Sequence, residues 1–193
     1  PIIKVTYAGN IGRAQNLKRF LALAKMIEHT NVEFIFVGGG SEKSELTKNR
    51  DKLNLTNFHI MEYIEYENMP AFYTASDISI VALDENIAAE ALPSKTYKIL
   101  ASGTPILALC DKDSALSELV NNQNLGFALS SFDDTDEIEH LIQYIGNSNL
   151  LKKQGESARA FSQSYYSLSV ASENHKKIYS SVYEAEAESN QNA

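Results

Sequence analysis

The sequence is short of cysteine and histidine and has no tryptophan. Its single cysteine, Cys110, excludes a disulfide framework and a cysteine metal site. Cys110 lies in the apolar run 104–110, which favours a buried strand residue over a reactive thiolate. The four histidines are scattered without the spacing of metal ligands: His29, His59, His140 and His175. We therefore expect no metal site, and a reducing, cytoplasmic location.

Basic residues are outnumbered by acidic ones, 17 against 25, which gives a net charge of -8. Nucleic-acid binding depends on basic residues that neutralise phosphates, so we expect no nucleic-acid partner. No apolar run approaches the roughly 18 to 20 residues that a membrane span needs. The sequence opens on residues 1–9, which have the character of a core strand without a preceding Met. We expect a domain taken from a longer protein.

Short apolar runs alternate with segments of helical periodicity. Six runs predict buried strands, because they are nearly continuous rather than alternating: 2–8, 32–37, 58–60, 78–83, 106–109 and 126–129. Apolar residues at helical spacing follow the first strand, lie between the third and fourth, and recur at 138–145. The alternation predicts a doubly wound, Rossmann-like α/β fold: a parallel sheet of about six strands with helices on both faces. Its ligand site should lie beyond the carboxyl ends of the strands.

The last part of the chain contains no predicted strand. Two helical segments are expected at about 150–161 and 170–188, followed by an acidic, frayed end. We predict one donor-binding unit over residues 1–166 and a C-terminal helix and tail over residues 167–193.

Glycines follow the first two predicted strands. Gly9 and Gly12 precede the first helix, and three glycines at 38–40 end the second strand. Glycine lets a backbone turn tightly and approach a ligand, so a phosphate group is one interpretation. The spacing is not GxGxxG, which argues against a nicotinamide site. Glycines that only shape tight turns are an equally good interpretation.

The most informative segment is 86–103. Pro93 suits a first helical position and Gly103 a C-cap, so a helix is predicted from Pro93 to Ser102. Lys95 would lie near its N-terminus, where a positive charge is disfavoured unless an anion is present. Glu90 precedes the helix among small residues and could accept hydrogen bonds from sugar hydroxyls. A solvated lysine and an ordinary loop glutamate are the alternatives.

Four segments resemble the retaining GT-B glycosyltransferases, also called glycosyltransferase group one or family four. They are YAGNIG at 7–12, FIFVGGG at 34–40, MPAFYTASDISIVAL at 69–83 and LPSKTYKILASGTPILA at 92–108. The resemblance implies the C-terminal, donor-binding domain of a two-domain enzyme whose N-terminal acceptor domain is absent from this chain. It also implies a role in making capsule, O-antigen or other envelope polysaccharides on lipid-linked acceptors, with at most peripheral contact at the inner membrane face.

The resemblance also assigns roles to residues. Glu90 matches the first of two family glutamates and would lie near the donor sugar, whereas Lys98 occupies the second position, where the family holds ribose hydroxyls. Lysine donates hydrogen bonds but accepts none. Asn10 and Gln15 stand where the family tends to carry Arg and Lys. Cations for the diphosphate are then expected from elsewhere: Arg13, Lys95 and Lys98.

The segment 61–66 aligns with the family's base-binding stretch, so Tyr63 or Tyr66 would stack on the base and the backbone of Ile64 would read its edge. The complete prediction names Glu90 and Lys95 for catalysis and, for binding of the nucleotide sugar, Gly9, Asn10, Gly12, Arg13, Gly38, Gly39, Tyr63, Ile64, Pro93, Ser94 and Lys98. The expected reaction transfers a hexose from a UDP- or GDP-linked donor with retention and without a metal or other cofactor. The fragment alone should bind nucleotide weakly and transfer nothing.

Two other functions stay open. A GT-B-like nucleotide-sugar epimerase would need acid and base residues that this sequence does not display. A non-catalytic α/β nucleotide-binding module is the second. A phospho-acceptor receiver would need an acidic pair after its first strand and an Asp after its third, and Asn10 and residues 59–61 supply neither.

Overall fold

The computed structural model describes residues 1–83, 90 and 92–191. Six strands form one sheet: β1 (Ile3–Ala8), β2 (Val32–Val37), β3 (Phe58–Met61), β4 (Ile78–Ala82), β5 (Ile106–Leu109) and β6 (Gly126–Leu129). Their order across the sheet is β3-β2-β1-β4-β5-β6, and every neighbouring pair is parallel. The predicted fold class, with its six strands, is confirmed.

Helices cover both faces of this sheet. The described part of the chain contains α1 (Arg19–Met26), α2 (Lys43–Lys52), α3 (Met69–Thr74), α4 (Lys95–Ala101), α5 (Ala115–Asn122), α6 (Thr135–Ile145), α7 (Ser148–Tyr165) and α8 (Leu168–Gln191). Helices α1, α2 and α6 pack on one face, around Phe20, Phe34 and Phe36. Helices α3, α4 and α5, with part of α7, pack on the other, around Val81 and Leu100. Both strand faces are therefore buried, which explains the continuous apolar runs.

One local prediction needs correction, and one helix was not predicted. Helix α4 begins at Lys95, so Pro93 lies two residues before it, and the first turn is marked by a bond from Thr96 N–H to Pro93 O (2.9 Å). Helix α5 was not predicted, and the Ser114 hydroxyl caps it by accepting from Ser117 N–H (3.2 Å). Gly103 follows α4 with φ +72°, as its predicted C-cap role requires.

The C-terminal helices α7 and α8 meet near residue 166, since α7 ends at Tyr165 and α8 begins at Leu168. The division into units 1–166 and 167–193 stays a prediction. Among the described residues, no helix is both long enough and apolar enough to cross a membrane.

Candidate functional site

The strand order reverses between β1 and β4, and this reversal places a crevice at the carboxyl end of the sheet. The loop after β1 begins at Gly9, and α4 follows β4 in the chain. Residues 84–89 and 91 lie outside the described part of the chain, and with them the small residues predicted around Glu90. Glu90 itself is exposed.

The loops after β1 and β2 are hydrogen-bonded to each other. Gly9 N–H donates to Val37 O (3.0 Å), Ile11 N–H donates to Gly39 O (2.8 Å), and Glu42 N–H donates to Ile11 O (2.9 Å). The β1–β2 pairing thus continues beyond the strands, and the floor of the crevice consists of backbone.

Glycine is required in this floor for steric reasons. Gly38 has φ +144°, and a Cβ atom there would lie 1.9 Å from Gly9 O. Gly40 has φ +148°, and its Cβ would lie 2.4 Å from Ile11 O. The turn-shaping interpretation of these two glycines therefore has a direct physical basis. Gly39 differs, because no atom lies within 4 Å of its Cβ position.

A cavity of about 200 Å³ opens between this floor and helices α3 and α4, and we call it the donor cavity. Its walls include the predicted site residues Gly9, Tyr63, Ile64, Ser94, Lys95 and Lys98, together with Ala8, Val37, Tyr66, Met69 and Tyr73. Among these described lining residues the charged side chains are two lysines, and none is a carboxylate. A chain with a net charge of -8 thus concentrates positive charge at this position.

Lys95 reaches from the start of α4 across the end of β1. Its Nζ donates to Ala8 O (3.1 Å) and lies 4.2 Å from the centre of the Tyr7 ring. Burial lowers the pKa of Lys95 from its ordinary 10.5 to about 8. A Cβ on Gly9 would lie 2.9 Å from the same Nζ, so glycine leaves room for the amine.

Tyr7 contacts both Lys95 and the loop after β1. The Tyr7 hydroxyl donates to Asn10 O (2.6 Å) and holds the loop after β1. Burial raises the pKa of Tyr7, so the phenol remains neutral beside the lysine. Among the described residues, the lysine charge therefore has an aromatic ring and a carbonyl as neighbours instead of a carboxylate, which favours an anionic ligand.

The opposite end of the donor cavity is aromatic. Lys98 Nζ lies 4.6 Å from the centre of the Tyr66 ring. Tyr63 and Tyr66 are 66% and 62% exposed, large fractions for aromatic side chains that border a cavity. Ile64 is half-buried and packs against the core beside α3 and α4. These exposed rings are available for stacking.

Other predicted residues lie elsewhere. The Arg13 side chain is 91% exposed, with its Nε 3.7 Å from Glu42 Oε1, so the structure does not bring Arg13 and Lys95 together. Gly12 N–H already donates to the Gln15 side chain (3.1 Å). Asn10 is exposed, and Pro93 is half-buried beside the helix start. These residues are absent from the described lining of the donor cavity, as are Gly38, Gly39 and Glu90.

Met69 and Tyr73 border the donor cavity, although no site role was predicted for either residue. Tyr73 is buried and Met69 is partly buried against the same core. Their i, i+4 spacing gave a core signal, and nothing in the sequence shows that the top of this face borders a cavity. Among the described residues, no group of three or more His, Cys, Asp or Glu side chains is placed to hold a metal ion.

The sequence profile described as "Glycosyl transferases group 1" matches residues 3–161. The chain belongs to this glycosyltransferase family. Two curated relatives are provisionally named glycosyltransferases: WbjE of Pseudomonas aeruginosa, 23% identical over 63% of this chain, and WcaI of Escherichia coli, 27% identical over 82%. This chain spans 30% and 38% of their lengths, about a third.

Solved structures share the fold. Anabaena HepE in complex with UDP has a TM-score of 0.75 and 15% identity over 93% of this chain, which corresponds to 49% of HepE. The C-terminal domain of the group 1 glycosyltransferase LpcC from Francisella tularensis has a TM-score of 0.67 and 17% identity, with 86% of this chain and 87% of that domain covered. At these identities the likeness shows the fold, which is of the GT-B type.

Proposed function

We propose that this chain is the donor-binding half of a retaining glycosyltransferase and that the donor cavity holds a nucleoside diphosphate sugar. The supporting observation is that the charged side chains among the described residues of this cavity are Lys95 and Lys98. They are three residues apart on α4 and so lie on one face of it, near the exposed rings of Tyr63 and Tyr66. Two cations beside stacking surfaces suit a diphosphate joined to a nucleoside.

Catalysis in this proposal is electrostatic. As the bond between the anomeric carbon and the diphosphate breaks, negative charge grows on the leaving phosphate oxygen. The Lys95 ammonium, held on Tyr7 and Ala8 before the ligand arrives, stabilises that charge without rearrangement. Lys98, which lies against Tyr66 at the other end of the cavity, adds positive charge at longer range, and Glu90 orients the donor sugar. The neutralisation is assigned to these side chains instead of a metal.

The acceptor would be positioned by an N-terminal domain, and we propose an envelope or capsular polysaccharide acceptor. The relative WcaI is provisionally named for colanic acid biosynthesis, and HepE has been solved with UDP and glucose. The likeness to the C-terminal domain of LpcC supports the same place for this chain in a two-domain enzyme. This half alone should bind nucleotide and transfer no sugar.

Calorimetric titration with UDP, GDP and their sugars tests the proposal. A charge-assisted hydrogen bond contributes about 1.5–3 kcal/mol, so Lys95→Met should weaken nucleotide binding about 10- to 100-fold. Lys25→Met is the matched control, since Lys25 lies on α1 and pairs with Glu28 (2.7 Å) away from the cavity. The proposal is contradicted if neither UDP, GDP nor their sugars bind the parent chain at millimolar concentration. It is also contradicted if Lys95→Met binds them as tightly as the parent chain does.

A further inference from the structure

A second cavity adjoins the donor cavity on the side away from Lys95. It has a volume of about 290 Å³, and we call it the outer cavity. The two cavities share Tyr66, Met69, Tyr73 and Lys98 as a common wall; the outer cavity is completed by Pro70, Thr74, Ala101, Ser102 and Arg159.

Tyr73 and Met69, the part of this wall nearer the sheet, are held in place by the core. Tyr73 is only 4% exposed, and its backbone carbonyl accepts from the buried Thr104 hydroxyl (2.7 Å). Met69 packs against the core on the same side of the sheet. A ligand would not displace these two residues without disturbing the packing of α3.

The rest of the wall is a single contact between two exposed side chains, Tyr66 and Lys98. Lys98 reaches from α4, and Tyr66 begins the short 3-10 helix Tyr66–Asn68 before α3; Lys98 Nζ lies 4.6 Å from the centre of the Tyr66 ring. Neither side chain belongs to a salt bridge in the described part of the chain. This contact separates the two cavities, and a ligand group that is large enough must break it.

We infer that the Tyr66–Lys98 contact limits the nucleoside end of the donor cavity to a single ring, so that pyrimidine nucleoside diphosphates bind more tightly than purine ones. The inference rests on the proposed function. The donor cavity, at about 200 Å³, is below the range of about 300–1,000 Å³ typical of ligand pockets. A pyrimidine ring stacked on Tyr63 or Tyr66 leaves the contact closed. The second ring of a purine extends past it toward the outer cavity.

The expected discrimination follows from the strength of the contact. Cation–π contacts contribute about 0.5 to 2 kcal/mol, which corresponds to about 2- to 30-fold in affinity. We expect UDP to bind more tightly than GDP and ADP by a factor in this range. The diphosphate is the same in all three probes, so the ratio isolates the base.

The test is calorimetric titration of UDP, GDP and ADP into the parent chain, Tyr66→Ala and Tyr66→Phe. Tyr66→Ala removes the Tyr66–Lys98 contact and should bring the ratio of the GDP and UDP dissociation constants close to one. Tyr66→Phe retains the ring and the cation–π contact and should retain the ratio. Because Tyr66 is exposed, neither variant should unfold the chain, and circular dichroism checks this directly. Lys98→Met is a second way to open the wall and should also lower the ratio, although it weakens all three ligands.

The outcomes separate this inference from the proposal beneath it. Equal or tighter binding of GDP by the parent chain would overturn the inference while leaving a nucleotide site in place. A ratio that is unchanged in both Tyr66→Ala and Lys98→Met would also overturn it, since the wall would then have no part in selecting the base. If none of the three nucleotides binds, the proposed function fails and the inference fails with it.

Discussion

Replacing Lys95 by methionine should stabilise the chain while it weakens nucleotide binding. The folded chain holds the Lys95 ammonium among Tyr7, Ala8 and Gly9, with a carbonyl and a ring as partners. This environment is poorer than water for a cation, which is why burial lowers the pKa of Lys95 to about 8. Methionine has a similar length and no charge, so it removes the desolvation cost and largely retains the packing.

The magnitude follows from the pKa. A change from 10.5 in the unfolded chain to about 8 in the folded chain corresponds to about 3 kcal/mol of lost stability while the lysine is charged. Between these pKa values the unfolded chain binds more protons, so the stability of the parent rises with pH from about pH 8 to pH 10.5. The cost of burying the charge is fully present below pH 8. Lys95→Met should therefore be more stable by at most about 3 kcal/mol near neutral pH.

Urea unfolding followed by far-ultraviolet circular dichroism, near pH 7 and near pH 9, measures this difference. The advantage of the variant should shrink by about 1 kcal/mol between the two conditions, because the parent loses part of its lysine charge. Melting temperatures should differ by about 2–4 °C for each kcal/mol in a chain of this size. A Lys25→Met control should show neither effect. If Lys95→Met is destabilised, or if its difference from the parent is independent of pH, the desolvated-lysine argument is refuted.

Two further predictions concern the architecture around the site. Gly38→Ala should lower the free energy of unfolding in urea by about 2–6 kcal/mol, because the new Cβ meets Gly9 O at a positive φ. The control Gly39→Ala should change the free energy of unfolding by no more than about 0.5 kcal/mol. Similar losses in both variants would show that the loops are not in contact as described. Asp134→Ala should cost about 1 kcal/mol by the same assay, because the Asp134 carboxylate caps α6 through Asp136 N–H (3.0 Å) and Glu137 N–H (3.1 Å). Asp133→Ala, one residue away, should be neutral, and an equal loss there would exclude capping as the cause.

The four inner strands could be predicted because they are covered on both faces and are therefore nearly continuous apolar runs, whereas the edge strands β3 and β6 are only partly buried and gave shorter runs. Helices α1 and α6 could be predicted for the opposite reason: they bury one side only, which gives them a clear period. Helix α5 was missed although Leu116, Leu119 and Val120 have helical spacing, because the polar stretches at 111–114 and 121–124 leave only residues 115–120 between them, and the helix itself has eight residues. The start of α4 was misplaced because Pro93 is as compatible with a turn before a helix as with the helix itself.

The candidate site was less accessible to sequence reasoning. Lys95 stood out because a cation at a helix start is unfavourable, but its desolvation depends on Ala8, 87 residues earlier in the chain. The contact between the glycine loops depends on the register of β1 against β2, which pairs Ala8 with Val37. Arg13 was a reasonable phosphate ligand by position, yet its side chain is paired with Glu42 outside the donor cavity. Local spacing identifies candidate residues, whereas strand register decides which of them meet.

In the proposed donor site, backbone and side chains would have different parts in binding the nucleotide. Ala8, Gly9 and Val37 line the cavity at the ends of β1 and β2, and the close approach of Gly38 to Gly9 O, outside the lining, leaves little room for variation behind them. In the proposed donor site, selectivity would then come from α4, the 3-10 helix before α3, and α3 itself, which supply Lys98, Tyr66 and Met69. Protein engineering aimed at a new nucleotide would vary those three positions and leave the glycine loops as a constant frame.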